Sequence, residues 1–157
     1  MSFVFKVLTT PAPSTPTIGD TNFQKHYSGV NRSMAWDDIT PAIRQATERY
    51  VLDFIGSELY DDLVDKYNNN DTLSTAQEKT LELLQDAIAN YAIYHILPEK
   101  RSVLASLGVV ENAPSEGSNP ASYPIYKEKR RGALDNADAF LDRLLSYLES
   151  QVKPNVG

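Results

Sequence analysis

Leu81-Glu-Leu-Leu-Gln-Asp-Ala-Ile-Ala-Asn-Tyr-Ala-Ile-Tyr-His-Ile-Leu-Pro98 is the stretch on which the fold turns. Leu81, Leu84, Ile88, Tyr91, Ala92, His95 and Ile96 recur at three- and four-residue steps, the period of an α-helix. From Ala89 onward the apolar residues spread almost all round the helix, so it needs cover on several sides until Pro98 stops it. Just upstream, Ser74-Thr-Ala-Gln-Glu78 offers two overlapping capping boxes, Ser74 with Gln77 or Thr75 with Glu78. A central helix of this kind cannot stand alone.

The flanking sequence supplies its neighbours. Asp37 and Asp38 favour a helix N-terminus, Thr40 suits the N-cap and Pro41 the first helical position. Ile43, Ala46, Tyr50, Val51, Phe54 and Ile55 then form an apolar stripe that runs to Gly56, a natural stop, with Ser57 placed to cap the next helix. A second, shorter helix carries Leu59, Tyr60, Leu63, Val64 and Tyr67. Asn68-Asn-Asn-Asp71 reads as a polar turn between two helices, since Asn and Asp tolerate left-handed backbone angles. The last helix, from Tyr123 or Pro124 to Gln151, places Ala133, Ala137, Phe140, Leu141, Leu144, Leu145 and Leu148 on one face. The expected fold is mainly α, a bundle of about four helices over 36–151. Between the third and fourth helices, residues 99–122 read as a loop, with 111–122 flexible or ordered by a partner. Residues 152–157 form a short tail.

Residues 1–35 read differently. Phe3-Val-Phe-Lys-Val-Leu8 has the composition of one short strand, followed by Pro11, Pro13 and Pro16 in an extended arm with no regular period. Phe23, Tyr27, Val30 and Met34 are scattered anchors along it. A lone strand leaves half of its backbone groups unpaired, and adding to a sheet in another subunit would satisfy them. Phe3, Val4, Phe5, Lys6, Val7 and Leu8 are therefore expected to form an inter-subunit strand, with Phe3, Phe5 and Val7 on one face.

The 157-residue chain is 41% hydrophobic and 23% charged, which is ordinary for a globular domain. Its net charge of -6 argues against a protein whose main task is gripping a nucleic-acid backbone. No cysteine is present, which removes disulfides and thiolate chemistry. The first ten residues lack the pattern of a signal peptide, and no apolar run is long enough to cross a bilayer. These features point to the cytosol, or to something assembled there, and to no membrane partner.

Motifs for catalysis are missing from the sequence: no phosphate-binding glycine loop and no nucleophile elbow occur. His26 and His95 read as structural, and Glu58, Asp61, Asp62 and Asp65 read as a solvated acidic face. The tyrosines at helical spacing fit core or subunit contacts better than stacking on nucleic acid. No enzymatic activity, cofactor or metal is therefore expected. Lys127-Glu-Lys-Arg-Arg131 is the one basic cluster, and it sits at the start of the last helix, where positive charge opposes the helix dipole. Lys127, Lys129, Arg130 and Arg131 are expected to face an acidic partner or, as the lesser alternative, DNA. The tail residues Lys153, Pro154, Asn155 and Val156 are a candidate extension into a neighbour's groove.

With the helices placed, the sequence resembles a head-tail connector (adaptor) protein of tailed bacteriophages, of the kind found in phages and prophages of Bacteroidetes-type hosts. The resemblance covers roughly Ser2 to Ser150. It is carried by the opening Met-Ser-Phe-Val-Phe-Lys, by Glu48-Arg-Tyr-Val-Leu-Asp-Phe-Ile-Gly56 and Glu58-Leu-Tyr-Asp-Asp-Leu63, by Ala87-Ile-Ala-Asn-Tyr-Ala-Ile-Tyr-His95, and by Leu141 to Glu149. It implies a non-catalytic virion structural protein at the neck, assembled in the host cytoplasm. Such subunits form a homo-oligomeric ring, commonly of about twelve copies in closed cyclic symmetry. The ring binds the portal protein and other neck or tail proteins, and DNA passes through it without sequence-specific binding. In that setting the tail at 153–156 is a candidate portal contact. The alternatives are a DNA-binding or packaging accessory protein and another neck or tail-completion protein.

Overall fold

Four helical rods make up most of the described structure. The computed structural model describes residues 3–27, 30, 32–96, 110–113, 117–120 and 123–152, with the segments 110–113, 117–120 and 123–126 and residue 152 described by backbone alone. Helix α1, Trp36–Ala46, runs through a π-helical turn at Thr47–Val51 into α2, Leu52–Ile55, so that a single rod spans 36–55. Helix α3 is Ser57–Asn68, α4 is Thr75–Ile96 and α5 is Tyr123–Val152. The expected mainly α, four-helix bundle is the observed one.

The central helix is α4, buried on nearly every side from Leu83 to Ile93. Leu84, Ala87, Ile88, Ala89, Ala92 and Ile93 have no exposed surface, and Gln85 and Asn90 are buried with them. Both polar side chains are satisfied: Gln85 Nε2 donates to the Val4 carbonyl at 2.7 Å and Asn90 Nδ2 to the Asp86 carbonyl at 2.8 Å. Of the two capping boxes on offer, Ser74 with Gln77 is used, each backbone N–H donating to the other residue's side chain at 2.9 and 3.1 Å. Asn70 adopts φ 57° in the preceding turn, as its short amide side chain allows. On α5, Ala133, Ala137, Leu141 and Leu144 are buried against α4. The Tyr91 hydroxyl donates to Asp138 at 2.6 Å, and the Arg130 guanidinium lies 4.2 Å from the Tyr94 ring. Ascending α4 therefore means descending α5, and the two helices are antiparallel.

The first rod departs from its expected start and stripe. It begins at Trp36, not at Pro41, because the arm caps it: the Trp36 N–H donates to the Pro16 carbonyl at 2.9 Å, and Thr17 bridges Ala35. Pro41 lies inside the helix and cannot donate to the Asp37 carbonyl, which accepts from the Thr40 hydroxyl at 3.3 Å instead. Ile39, Ile43 and Ala46 are buried, as an ordinary helical period requires. The π turn then inserts an extra residue and rotates the remainder of the rod by about 100°. The buried line passes to Thr47 and Val51, and Phe54, expected inside, is 59% exposed.

The arm packs into the bundle and not on a sheet of its own. Val4 and Phe5, neighbours in sequence, are both buried in the same core as the helices, so the alternation expected of a strand does not hold. Phe5 packs edge-on against Phe23 at 5.0 Å, and Phe23 against Trp36 at 6.1 Å. The backbone groups are used within the chain: Lys6 N–H donates to Asn22 Oδ1 at 2.8 Å, Leu8 N–H to the Asp20 carbonyl at 2.7 Å, and the Lys6 carbonyl accepts from Asn22 N–H at 3.3 Å. Val7 makes a single bridge to Thr21. Lys6 and Leu8 thus pair their backbone within the chain, and the arm packs on the bundle through Val4 and Phe5. Within the expected loop 99–122, Val110–Ala113 and Gly117–Pro120 pair as an antiparallel hairpin, β1 and β2.

Two measurements check this packing. Phe5→Ala should lower the unfolding free energy by about 3–5 kcal/mol, since a buried aromatic is removed from a closed core; denaturant titration followed by circular dichroism reads it. Burial pushes the Tyr60 hydroxyl from 10.0 up to about 12. A folded-state pKa above the unfolded one adds stability that is fully present below pH 10.0 and is lost as the pH rises through about 12. Tyr60→Phe should flatten that alkaline loss in a stability-versus-pH series.

Candidate interaction surfaces

Titratable side chains are dispersed over the bundle, and a few of them hold it together. His26 Nδ1 lies 2.7 Å from Asp86 Oδ1 and pins the arm to α4. His95 packs against Tyr50 and Tyr94 at 5.2 and 5.4 Å between ring centroids. Tyr50 stacks on Tyr91 at 4.2 Å, and the Tyr91 hydroxyl is held well above its ordinary pKa, first by burial and then by its bond to Asp138. Among the described residues no group of three His, Asp or Glu side chains is placed to hold a metal ion.

Two unlike patches stand out instead. The first is the corner between α2 and α3, where Gly56 takes φ 83° and ψ 149°, a conformation that favours glycine. Phe54 is 59% and Leu59 38% exposed on either side of it, among the exposed carboxylates of Asp53, Glu58 and Asp61. Asp62, on the same helix, is occupied by Lys66 at 3.1 Å. Exposed apolar side chains that cluster within a polar rim mark contact surfaces.

The second patch lies on α5. Lys127, Lys129 and Arg131 are exposed, whereas Arg130 turns inward over Tyr94, so the basic cluster expected as a unit is divided. Arg131 reaches Asp135 only at 4.0 Å, with both side chains well exposed. A full helical turn from Tyr123 precedes Lys127, so the dipole conflict read from the sequence is weaker than expected. Beside these cations a cavity of about 360 Å³ is lined by Tyr27, Glu128, Lys129, Gly132, Ala133 and Asn136.

The patches sit on different elements: the corner joins α2 to α3, whereas the cavity is lined by α5 residues and by Tyr27 of the arm.

A family model described as a family of unknown function (DUF6712) matches residues 51–155. The chain belongs to that family. No curated protein and no solved structure matches it. The DUF6712 region contains Phe54, Leu59 and all of α5, while the arm and α1 precede it. No described helix is long and apolar enough to cross a membrane.

Of the residues singled out in the sequence, Val4 and Phe5 are core, Phe3 and Val7 pack against it, and Leu8 is 47% exposed. Lys6 sits 4.2 Å over the Tyr67 ring and donates to Asn70 Oδ1 at 2.9 Å. Lys153, Pro154, Asn155 and Val156 lie outside the described residues. Phe54 went unrecognised as a surface feature because counting at a uniform helical period conceals the π turn, whereas the cavity lined by Tyr27 and Gly132 joins residues more than 100 positions apart in the chain, which no local pattern reports.

Separate roles for the basic residues can be measured. Lys129→Ser with Arg131→Ser should leave thermal stability within about 0.5 kcal/mol of the parent, since neither side chain is buried. Arg130→Ser should cost about 0.5–1 kcal/mol through loss of the contact with Tyr94.

Proposed function

We propose that the chain is a structural, non-catalytic subunit of a bacteriophage neck, forming an adaptor ring between portal and tail that continues the DNA channel. The observation that carries this reading is the pair of exposed, chemically unlike patches, one at the α2–α3 corner and one on α5. Two different surfaces on one subunit suit a head-to-tail contact, and such contacts close into rings when the rotation allows. The resemblance to connector proteins supports the same reading, because Glu48 to Leu63 and Ala87 to His95 supply the corner and the central helix. The net charge of -6 suits a ring that lets DNA pass without holding it. In this role the subunit belongs to the virion, with copies of itself, the portal and further neck or tail proteins as partners.

The exposed cations Lys127, Lys129 and Arg131 favour one alternative, a DNA-binding or packaging accessory protein. Size-exclusion chromatography with light scattering, on the full chain alone and co-expressed with the portal protein of the same genome, separates the two readings. A discrete large oligomer, alone or on the portal, is the expected result. A chain that stays monomeric in both settings overturns it. If Lys129→Ser, Arg130→Ser and Arg131→Ser together leave assembly intact but abolish DNA retention, the alternative takes its place.

A further inference from the structure

We infer that the corner carrying Phe54 docks into the cavity beside Gly132 on a second copy of this chain. The inference rests on the ring reading above and names the contact that would build the ring.

Three observations fit together. Phe54 is a large aromatic left 59% exposed by the π turn, and no described residue covers it. The cavity on α5, about 360 Å³, has ample room for a ring, since a cavity of about 150 Å³ accepts benzene. Its floor holds Gly132, and a Cβ built there meets nothing within 4 Å. Glycine in the interior of a 30-residue helix is otherwise unfavourable against alanine, and packing within the chain supplies no reason for it. A side chain arriving from outside does.

Charge favours the same occupant. Asp53, Glu58 and Asp61 are exposed within a few residues of Phe54 and Leu59, while Lys129 lines the cavity with Glu128, and Lys127 and Arg131 are exposed on the same helix. Seating Phe54 would bring the carboxylates of one copy to the cations of the next, partnering charges left exposed in the isolated chain. Because Phe54 is exposed and does not line the cavity of its own chain, each contact leaves a free corner and a free cavity for the next copy.

The absence of cysteine makes the test direct. A full chain carrying Phe54→Cys is mixed with one carrying Gly132→Cys under mild oxidation, with Glu149→Cys in place of Gly132→Cys as the control. The expected result is a mixed disulfide dimer from the first mixture at least tenfold above the control. In parallel, Lys129→Glu with Arg131→Glu, and separately Glu58→Lys with Asp61→Lys, should each reduce the oligomer seen by light scattering, and mixing the two variants should restore it. Gly132→Trp should block assembly while keeping the circular dichroism spectrum and melting temperature of the parent. Oligomers that form without the Phe54–Gly132 cross-link and ignore both charge reversals overturn this contact and leave the ring reading standing. A chain that neither cross-links nor assembles, alone or with the portal protein, overturns both.

Discussion

Everything in this fold answers to the burial of α4. A helix that is apolar on nearly every side has no face to give to water, so each direction around it must be filled by another part of the chain. The rod 36–55 fills one direction, α5 the next, and the arm closes the remainder through Val4, Phe5 and His26. Gln85 makes the dependence explicit. A buried amide facing the arm requires an acceptor, and the Val4 carbonyl is that acceptor.

The arm's role comes from the same constraint. A proline-rich segment without a regular period cannot satisfy its backbone by helix or sheet, yet it can be tied down one group at a time. Two short 3-10 turns, Ile18–Asp20 and Phe23–Lys25, bring Ile18 and Phe23 inward, while Asp20 accepts from Thr17 N–H at 2.9 Å and Asn22 from Lys6 N–H at 2.8 Å. Bonds to Asp20 are also what hold its carboxyl below its ordinary pKa, the Thr17 backbone N–H foremost. The arm in turn sets where α1 begins, because its Pro16 carbonyl takes the first helical N–H.

Outside the core, one inserted residue has the largest consequence. The π turn keeps Tyr50 stacked on Tyr91 while turning Phe54 to the surface, so the aromatic anchoring of the rod and the exposure of the corner come from the same backbone feature. Thr47 caps this arrangement internally, its hydroxyl donating to the Ile43 carbonyl at 2.8 Å. Extra-turn segments of this kind are common at functional positions, where they aim a side chain that a regular helix would bury.

The helices were legible in the sequence because their determinants are local: the apolar period, the Ser74–Gln77 capping box, the stop at Gly56 and the left-handed turn at Asn70 all act over four residues or fewer. What the helices pack against, and where α1 starts, was not legible, since the Pro16 carbonyl, the Val4 carbonyl and Asp86 lie far along the chain from the groups they satisfy. The arm's composition pointed to an element short of partners, and several of its backbone groups, those of Lys6 and Leu8 among them, find partners in the same chain. The two surface patches were hidden for a related reason: Phe54 is apolar and sits at a helical spacing, and only the rotation imposed by the π turn puts it outside. Sequence periodicity reports which residues tend to be buried, whereas the path of the backbone sets which of them find cover.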